Sequence, residues 1–125
     1  MVRVWILLAA LGGALAVALG AYGAHALVAP PGRVEMFRTA VSYQMWHVLA
    51  LLAAAWLRPA QGPALAVRLA DLAGALFTAG TILFSGSLYA IGLTGRAPVP
   101  MAAPAGGLAL IGGWLALAAC GLLRR

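Results

Sequence analysis

The distribution of charge along this chain constrains its fold more than any other feature. Four stretches, residues 4–32, 39–57, 72–95 and 97–123, contain no Asp, Glu, Lys or Arg. Each supplies roughly the 20 mostly apolar residues that a helix needs to cross a hydrocarbon core of about 30 Å. Because 65% of the 125 residues are hydrophobic and only 8% are charged, a water-soluble domain could not bury this much apolar surface. The sequence therefore predicts an all-α membrane protein with four spans.

Proline and glycine separate these spans. They are concentrated at 30–32, 59–63 and 95–100, where a helix cannot easily continue. Short connections make neighbouring spans antiparallel, which predicts a four-transmembrane-helix, up-down-up-down bundle. The whole chain, 1–125, is predicted to be one domain, with spans at about 4–27, 35–57, 65–93 and 102–123.

The arginines predict how the bundle is oriented. Both chain ends and the second connection share one face, here called the terminal face, whereas the first and third connections share the loop face. The terminal face carries five arginines and the loop face three, respectively Arg3, Arg58, Arg68, Arg124, Arg125 and Arg33, Arg38, Arg96. This bias predicts cytoplasmic termini in a bacterial inner membrane. The first 26 residues resemble a signal peptide, but their apolar core exceeds the usual length of about 7–15 residues, so we expect a retained helix.

Two of the predicted spans carry regularly spaced small residues. In lipid, close approach of glycine and alanine supplies much of the association between helices. We therefore expect closely packed faces on spans 1 and 4, formed by Gly12, Ala16, Gly20, Ala24 and by Ala105, Ala109, Gly113.

The other two spans carry polar stripes. On span 2, Tyr43 and His47 share a face, with Gln44 turned about 100° away toward a different neighbour. On span 3, Thr81, Ser85 and Tyr89 form a stripe at four-residue spacing. Because unpaired polar groups are costly in hydrocarbon, we expect these six residues to form a buried polar cluster between spans 2 and 3. Two interpretations stay open, namely purely structural hydrogen bonds or a small polar cavity that holds water, a proton path or a ligand.

A second cluster is predicted at the loop face. His25 ends span 1, and the first connection brings it level with Glu35, Arg38 and Thr39 at the start of span 2. A contact between His25 and Glu35 would join the two spans at the membrane surface. A functional mouth is the alternative.

Metal, cofactor and catalytic sites are not expected. The two histidines differ in depth by about ten residues, or roughly 15 Å, so they cannot share a metal or haem. Asp71 can pair with Arg58 or Arg68, and no nucleophile lies beside a recognisable base. Cys120 is the only cysteine, so no disulfide forms within the chain.

The arginines flank membrane spans, so we expect them to contact lipid headgroups and not nucleic acid. The chain is expected not to be an enzyme.

Four segments resemble a known family. They are Gly20–Leu27 (GAYGAHAL), Thr39–His47 (TAVSYQMWH), Phe84–Tyr89 (FSGSLY) with Thr94-Gly95, and Pro104–Gly107 (PAGG) with Gly113-Trp114. In this order they are similar to domain-of-unknown-function family 423, small four-helix inner-membrane proteins of bacteria with a eukaryotic relative. The resemblance implies a four-span membrane protein and assigns no activity. It marks His25, Tyr43, Gln44, His47, Ser85, Ser87 and Tyr89 as positions to test.

Two functions compete on these observations. The first is an accessory or structural protein that packs against itself or a larger membrane complex through its small residues. The second is a bundle that handles a small molecule or protons on the polar face of spans 2 and 3. A minimal multidrug exporter has the same length and four spans, but it would be expected to carry a carboxylate in the middle of span 1. Residues 4–32 contain no carboxylate, so this function ranks last. If both ring nitrogens of a packed His47 are bonded to protein, the second function loses its main support.

Overall fold

The structure, a computed structural model, describes residues 1–124 and contains four α-helices. Each is long and apolar enough to span a membrane. The predicted all-α, four-span class is therefore confirmed. Arg125, one of the terminal-face arginines, lies outside the described residues. The helices are α1 (Val2–His25), α2 (Pro31–Leu57), α3 (Ala64–Thr94) and α4 (Ala102–Leu123).

Local residue chemistry explains where the helices begin and end. Helix α2 starts at Pro31, four residues before the predicted Glu35, because a proline in the first turn gives up no hydrogen bond. Helix α3 ends before Gly95, whose φ of 77° is left-handed. Its amide donates to the carbonyl of Ile91 and so closes the last turn.

Helices α2 and α3 form the centre of the bundle. Helix α1 packs mainly on α2, and α4 packs mainly on α3. Helix α1 reaches α3 near the terminal face, where the Trp5 indole lies against Gly74. Helix α4 reaches α2 through Trp114 and Cys120. Away from Trp5, the described parts of α1 and α3 make almost no direct contact with each other.

Small residues of α1 bring it close to α2. A Cβ added at Gly12 would lie 2.7 Å from Cγ1 of Val48, and one at Gly20 would lie 3.3 Å from Cγ1 of Val41. Ala16, between them, is fully buried. Ala24, the fourth residue predicted for this face, is exposed.

The packed face of α4 differs from the predicted one. Ala105 is exposed and Ala109 is only half-buried, so the prediction was wrong for both, whereas Gly113 is buried. Helix α4 is so rich in alanine and glycine that several stripes have suitable spacing, and contact with α3 selects one of them. The buried residues are Ala102, Gly106, Leu110, Gly113, Ala116, Leu117 and Cys120.

The backbones of α3 and α4 touch at two glycines. A Cβ added at Gly106 would lie 2.9 Å from the carbonyl oxygen of Gly80 and closer still to the backbone nitrogen of Phe84. A Cβ at Gly80 would lie 2.7 Å from Cδ2 of Leu110. This crossing holds α4 against the polar part of α3.

Candidate functional site

Gln44 joins three helices through its side-chain amide. Its Nε2 donates to the carbonyl oxygen of Gly12 on α1 at 2.7 Å. Its Oε1 accepts from the hydroxyl of Tyr89 on α3 at 2.6 Å. Gln44 thus contacts a second neighbour, α1, in addition to Tyr89 of the predicted cluster, because an amide with a donor and an acceptor can satisfy two neighbours at once.

His47 is buried with both ring nitrogens bonded to protein. The side chain is 6% exposed. Nδ1 lies 2.7 Å from the carbonyl oxygen of Tyr43, and Nε2 lies 3.1 Å from Nε1 of Trp114 on α4. A carbonyl can only accept and an indole N–H can only donate, so the imidazole is neutral with its proton on Nδ1. Neither nitrogen is left free for a ligand.

The hydroxyl groups of α3 have different partners. Ser85 is buried and donates to the carbonyl oxygen of Ala40 on α2 at 2.8 Å. Thr78 donates to the carbonyl oxygen of Gly74 within its own helix at 2.8 Å. Within residues 1–124, the hydroxyl of Thr81 has no hydrogen-bond partner. Thr81 is thus the one member of the stripe whose polar group stays available.

Five of the six residues of the predicted polar cluster line one cavity. The cavity lies between α1, α2 and α3, has a volume of about 410 Å³, and is called the α1–α3 cavity below. Leu8, Leu11 and Leu15 form its α1 wall, so its surface is mostly apolar. The polar residues that line it are Gln44, His47, Thr78, Thr81, Ser85 and Tyr89.

Tyr43 does not line this cavity, although the sequence placed it in the cluster. Its ring packs against Phe84, with centroids 4.6 Å apart, and stacks on His47 at 5.9 Å. Helix α2 turns by about 100° per residue, so Tyr43 and Gln44 diverge and only one of them can face the cavity. In the structure Gln44 takes that position.

The loop-face cluster is not joined as predicted. Within residues 1–124, no ion pair connects His25 to Glu35, and both residues are exposed. Glu35 pairs instead with Arg38 in its own helix at 3.3 Å. Thr39 is half-buried. Glu35 lies on an exposed face of α2, so an equal depth in the membrane does not by itself bring it to His25.

A different residue fastens the loop face. Arg33 donates from Nε to the carbonyl oxygen of Gly92 at 3.2 Å and from Nη2 to that of Leu93 at 2.7 Å. These carbonyls belong to the last turn of α3, where acceptors lack partners within the helix. Arg33 therefore caps α3 from the start of α2.

At the terminal face, Asp71 joins three helical segments. Its Oδ1 accepts from Nε of Arg58 at 2.8 Å and from Nε1 of Trp5 at 3.1 Å. Of the two partners that the sequence left open, the structure selects Arg58. The Arg58–Asp71 ion pair is about one-quarter exposed and joins the end of α2 to α3. The hydrogen bond from Trp5 joins α1 to α3 on the terminal-face side of the α1–α3 cavity.

Sequence reasoning missed Trp5 and Trp114. Both indoles bridge helices, and each satisfies a polar side chain on another span. An indole N–H inside a membrane span needs an acceptor, so these tryptophans could have been matched to Asp71 and His47. Within residues 1–124, no three His, Cys, Asp or Glu side chains meet in a group that could hold a metal.

These features define a class of protein: a multi-pass membrane protein whose interior polar groups bind one another across the helices. Over residues 19–107 the chain matches the family described as protein of unknown function DUF423, and it belongs to that family. The resemblance seen in the sequence is therefore confirmed.

Relatives of this chain occur in bacteria and in a fungus. The UPF0382 membrane protein YwdK of Bacillus subtilis is 37% identical over 115 residues, 90% of this chain and 91% of that protein. The UPF0382 inner membrane protein YgdD of Escherichia coli is 37% identical over 125 residues, 98% of this chain and 91% of that protein. A UPF0382 membrane protein of Schizosaccharomyces pombe is 37% identical over 114 residues, 85% and 91% of the two chains. No solved structure matches the chain.

Proposed function

We propose that this protein is a non-enzymatic accessory component of the bacterial cytoplasmic membrane, which acts by associating with itself or with a larger membrane complex. The bonding of His47 carries this proposal. Its nitrogens are held by Tyr43 and Trp114, so the most chemically versatile side chain in the interior serves to join α2 to α4. The two carboxylates are each paired with an arginine, which leaves neither poised for catalysis.

The alternative of proton handling has less support. A proton path needs side chains that can take up and release protons in sequence along a wet route. Within residues 1–124, no fully buried side-chain nitrogen or oxygen lacks a hydrogen-bond partner. Transfer through His47 would first have to break its bond to Trp114 or to Tyr43.

Native purification tests the accessory role. We expect the protein, extracted in a mild detergent without crosslinker, to elute as a dimer or larger assembly or together with another membrane protein. Light scattering with refractive-index detection gives the protein mass free of detergent, and mass spectrometry identifies any companion. Gly12, Gly20 and Gly106 already pack against other helices of the same chain, so association with a second protein must rely on other residues. Recovery of the lone monomer at every protein concentration would contradict the accessory role.

The proposal includes an orientation with both termini in the cytoplasm. The five terminal-face arginines support it, because basic residues next to spans are retained on the cytoplasmic side. A green fluorescent protein fused after residue 124 should fluoresce, and alkaline phosphatase fused in the third connection, at Pro98, should be active. Exchanging the two reporters should abolish both signals. Fluorescence at Pro98 combined with phosphatase activity at the C-terminus would reverse the topology.

A further inference from the structure

The α1–α3 cavity is open to the side of the bundle. Leu11 of α1 and Ile82 of α3 both line it, yet they are 69% and 67% exposed. Both lie near the middle of their helices, at the depth of the hydrocarbon core. The Trp5 to Asp71 hydrogen bond joins α1 to α3 at the terminal-face side of this opening. A molecule dissolved in the bilayer can therefore reach the cavity from the side.

The size and lining of the cavity fit a small molecule. Sites for small ligands usually have volumes of about 300–1,000 Å³, mostly apolar walls and a few placed polar groups. The α1–α3 cavity has about 410 Å³ and leucine-rich walls. Its polar side chains are bonded to protein with one exception among residues 1–124, the hydroxyl of Thr81.

Thr81 sets the chemistry of the occupant. A hydroxyl that faces hydrocarbon without a partner is unfavourable. Thr78 donates to the carbonyl of its own helix, whereas Thr81 as observed does not, so the Thr81 hydroxyl can donate to an acceptor oxygen on a molecule that fills the cavity. Thr81 lies near the midpoint of the 31-residue helix α3, about 20 Å or more from either end. The ester groups of phospholipids lie at the edges of the hydrocarbon core, so they do not reach this depth. An acceptor that reaches Thr81 from the bilayer therefore belongs to a molecule dissolved in the hydrocarbon core and not to a phospholipid ester.

We propose that the α1–α3 cavity binds a bilayer-dissolved, mostly apolar molecule that bears a carbonyl oxygen, which accepts a hydrogen bond from Thr81. Binding in this cavity goes beyond the accessory role. It neither requires that role nor excludes it. Gly86 lies in the cavity wall at a point where an added Cβ would meet nothing within 4 Å. A larger side chain there fills the cavity without pressing on the bundle.

Photolabelling with benzophenone tests the proposal in the full-length protein. Benzophenone is an apolar ketone that enters bilayers. On illumination its carbonyl carbon bonds to a nearby C–H carbon and its oxygen takes the hydrogen. The protein would be labelled in phospholipid nanodiscs and then cleaved after its arginines. This cleavage gives separate peptides for α1 (4–33), α3 (69–96) and α4 (97–124). We expect saturable adducts on the α1 and α3 peptides at residues that line the cavity.

Two variants and one control separate the parts of the proposal. Gly86→Leu should reduce cavity adducts at least fivefold, whereas Gly121→Leu, at another glycine with open space around it, should leave them unchanged. Thr81→Val keeps the shape of the side chain and removes the hydroxyl, so it should weaken labelling about fivefold, the effect of one hydrogen bond. Circular dichroism and melting temperature confirm that each variant is folded.

Two results would each overturn one part of the proposal. Labelling that is spread over all lipid-facing residues, does not saturate and ignores Gly86→Leu would overturn the binding site. Labelling that Gly86→Leu blocks but Thr81→Val leaves at full strength would overturn the carbonyl recognition. Neither result depends on whether the protein is recovered as a monomer or in a complex, so the accessory role is tested separately.

Discussion

Replacing Gly106 by alanine should separate α3 from α4 and lower the free energy of unfolding by about 2 kcal/mol. The added methyl group would press on the backbone of α3 at Gly80 and Phe84, which cannot rotate away as a flexible side chain could. Alanine favours a helix over glycine by up to about 1 kcal/mol, and the clash must exceed this gain. Reversible unfolding of the purified protein, by titration of sodium dodecyl sulfate into mild-detergent micelles, measures the loss.

Gly107→Ala is the matched control for this prediction. A Cβ at Gly107 would lie 3.8 Å from Cδ2 of Phe84, an ordinary contact, so only the helix preference should change. We expect this variant to be as stable as the original chain or slightly more stable. If Gly106→Ala and Gly107→Ala lowered the free energy of unfolding equally, α3 and α4 would not cross as closely as in this structure.

Replacing Asp71 by asparagine should cost about 2 kcal/mol of stability, because hydrogen bonds to charged groups contribute about 1.5–3 kcal/mol. The substitution leaves the guanidinium of Arg58 unpaired at a site that is only about one-quarter exposed, and it weakens the bond from Trp5. The same detergent titration measures the loss. A shift in tryptophan emission is expected with it, since Trp5 would lose its charged acceptor.

Two further variants separate the ion pair from general effects of removing a charge. Adding Arg58→Gln to Asp71→Asn should recover part of the lost stability, because the unpaired charge is then gone. Glu35→Gln breaks an ion pair whose side chains are 69% and 62% exposed, so it should change stability by less than about 0.5 kcal/mol. If Asp71→Asn were as harmless as Glu35→Gln, Asp71 would not join the helices.

The four spans could be predicted because they depend on local properties of the chain. Each is an apolar, charge-free segment of membrane-crossing length, and proline and glycine mark the breaks. The start of α2 is the instructive exception. Pro30 and Pro31 suggest a long break, yet α2 already begins at Pro31, since a proline is compatible with the first turn of a helix.

The composition of the polar interior could also be predicted, but its pairings could not. The cost of burying polar groups identifies Gln44, His47 and Ser85 as residues that need partners. Which partner each one finds depends on the rotation of every helix about its own axis. His47 bonds to Trp114 of α4 and not to the polar stripe of α3, because that rotation turns His47 toward the α4 side.

The rotation of a helix about its own axis, which the sequence does not reveal, also explains why the packed face of α4 was predicted wrongly. Spacing predicts that small residues pack, but it cannot choose between the stripe with Ala105 and the stripe with Gly106 on a helix where both are small. The close approach of two backbones at Gly80 and Gly106 makes that choice. The missing contact between His25 and Glu35 has a related cause, since equal depth in the membrane does not imply the same side of a helix.

The sequence by itself determined that the chain crosses the membrane four times, since transfer of apolar segments into lipid depends only on each segment's own composition and length. It also determined which residues would be costly to leave unpaired. The tertiary structure alone decided that α1 and α3 stand apart, that a cavity opens between them, and that the Thr81 hydroxyl in its wall has no hydrogen-bond partner among residues 1–124. The reason is geometric, because helix rotation and crossing are set by contacts between residues far apart in the chain, such as Gly80 with Gly106 and Trp5 with Asp71.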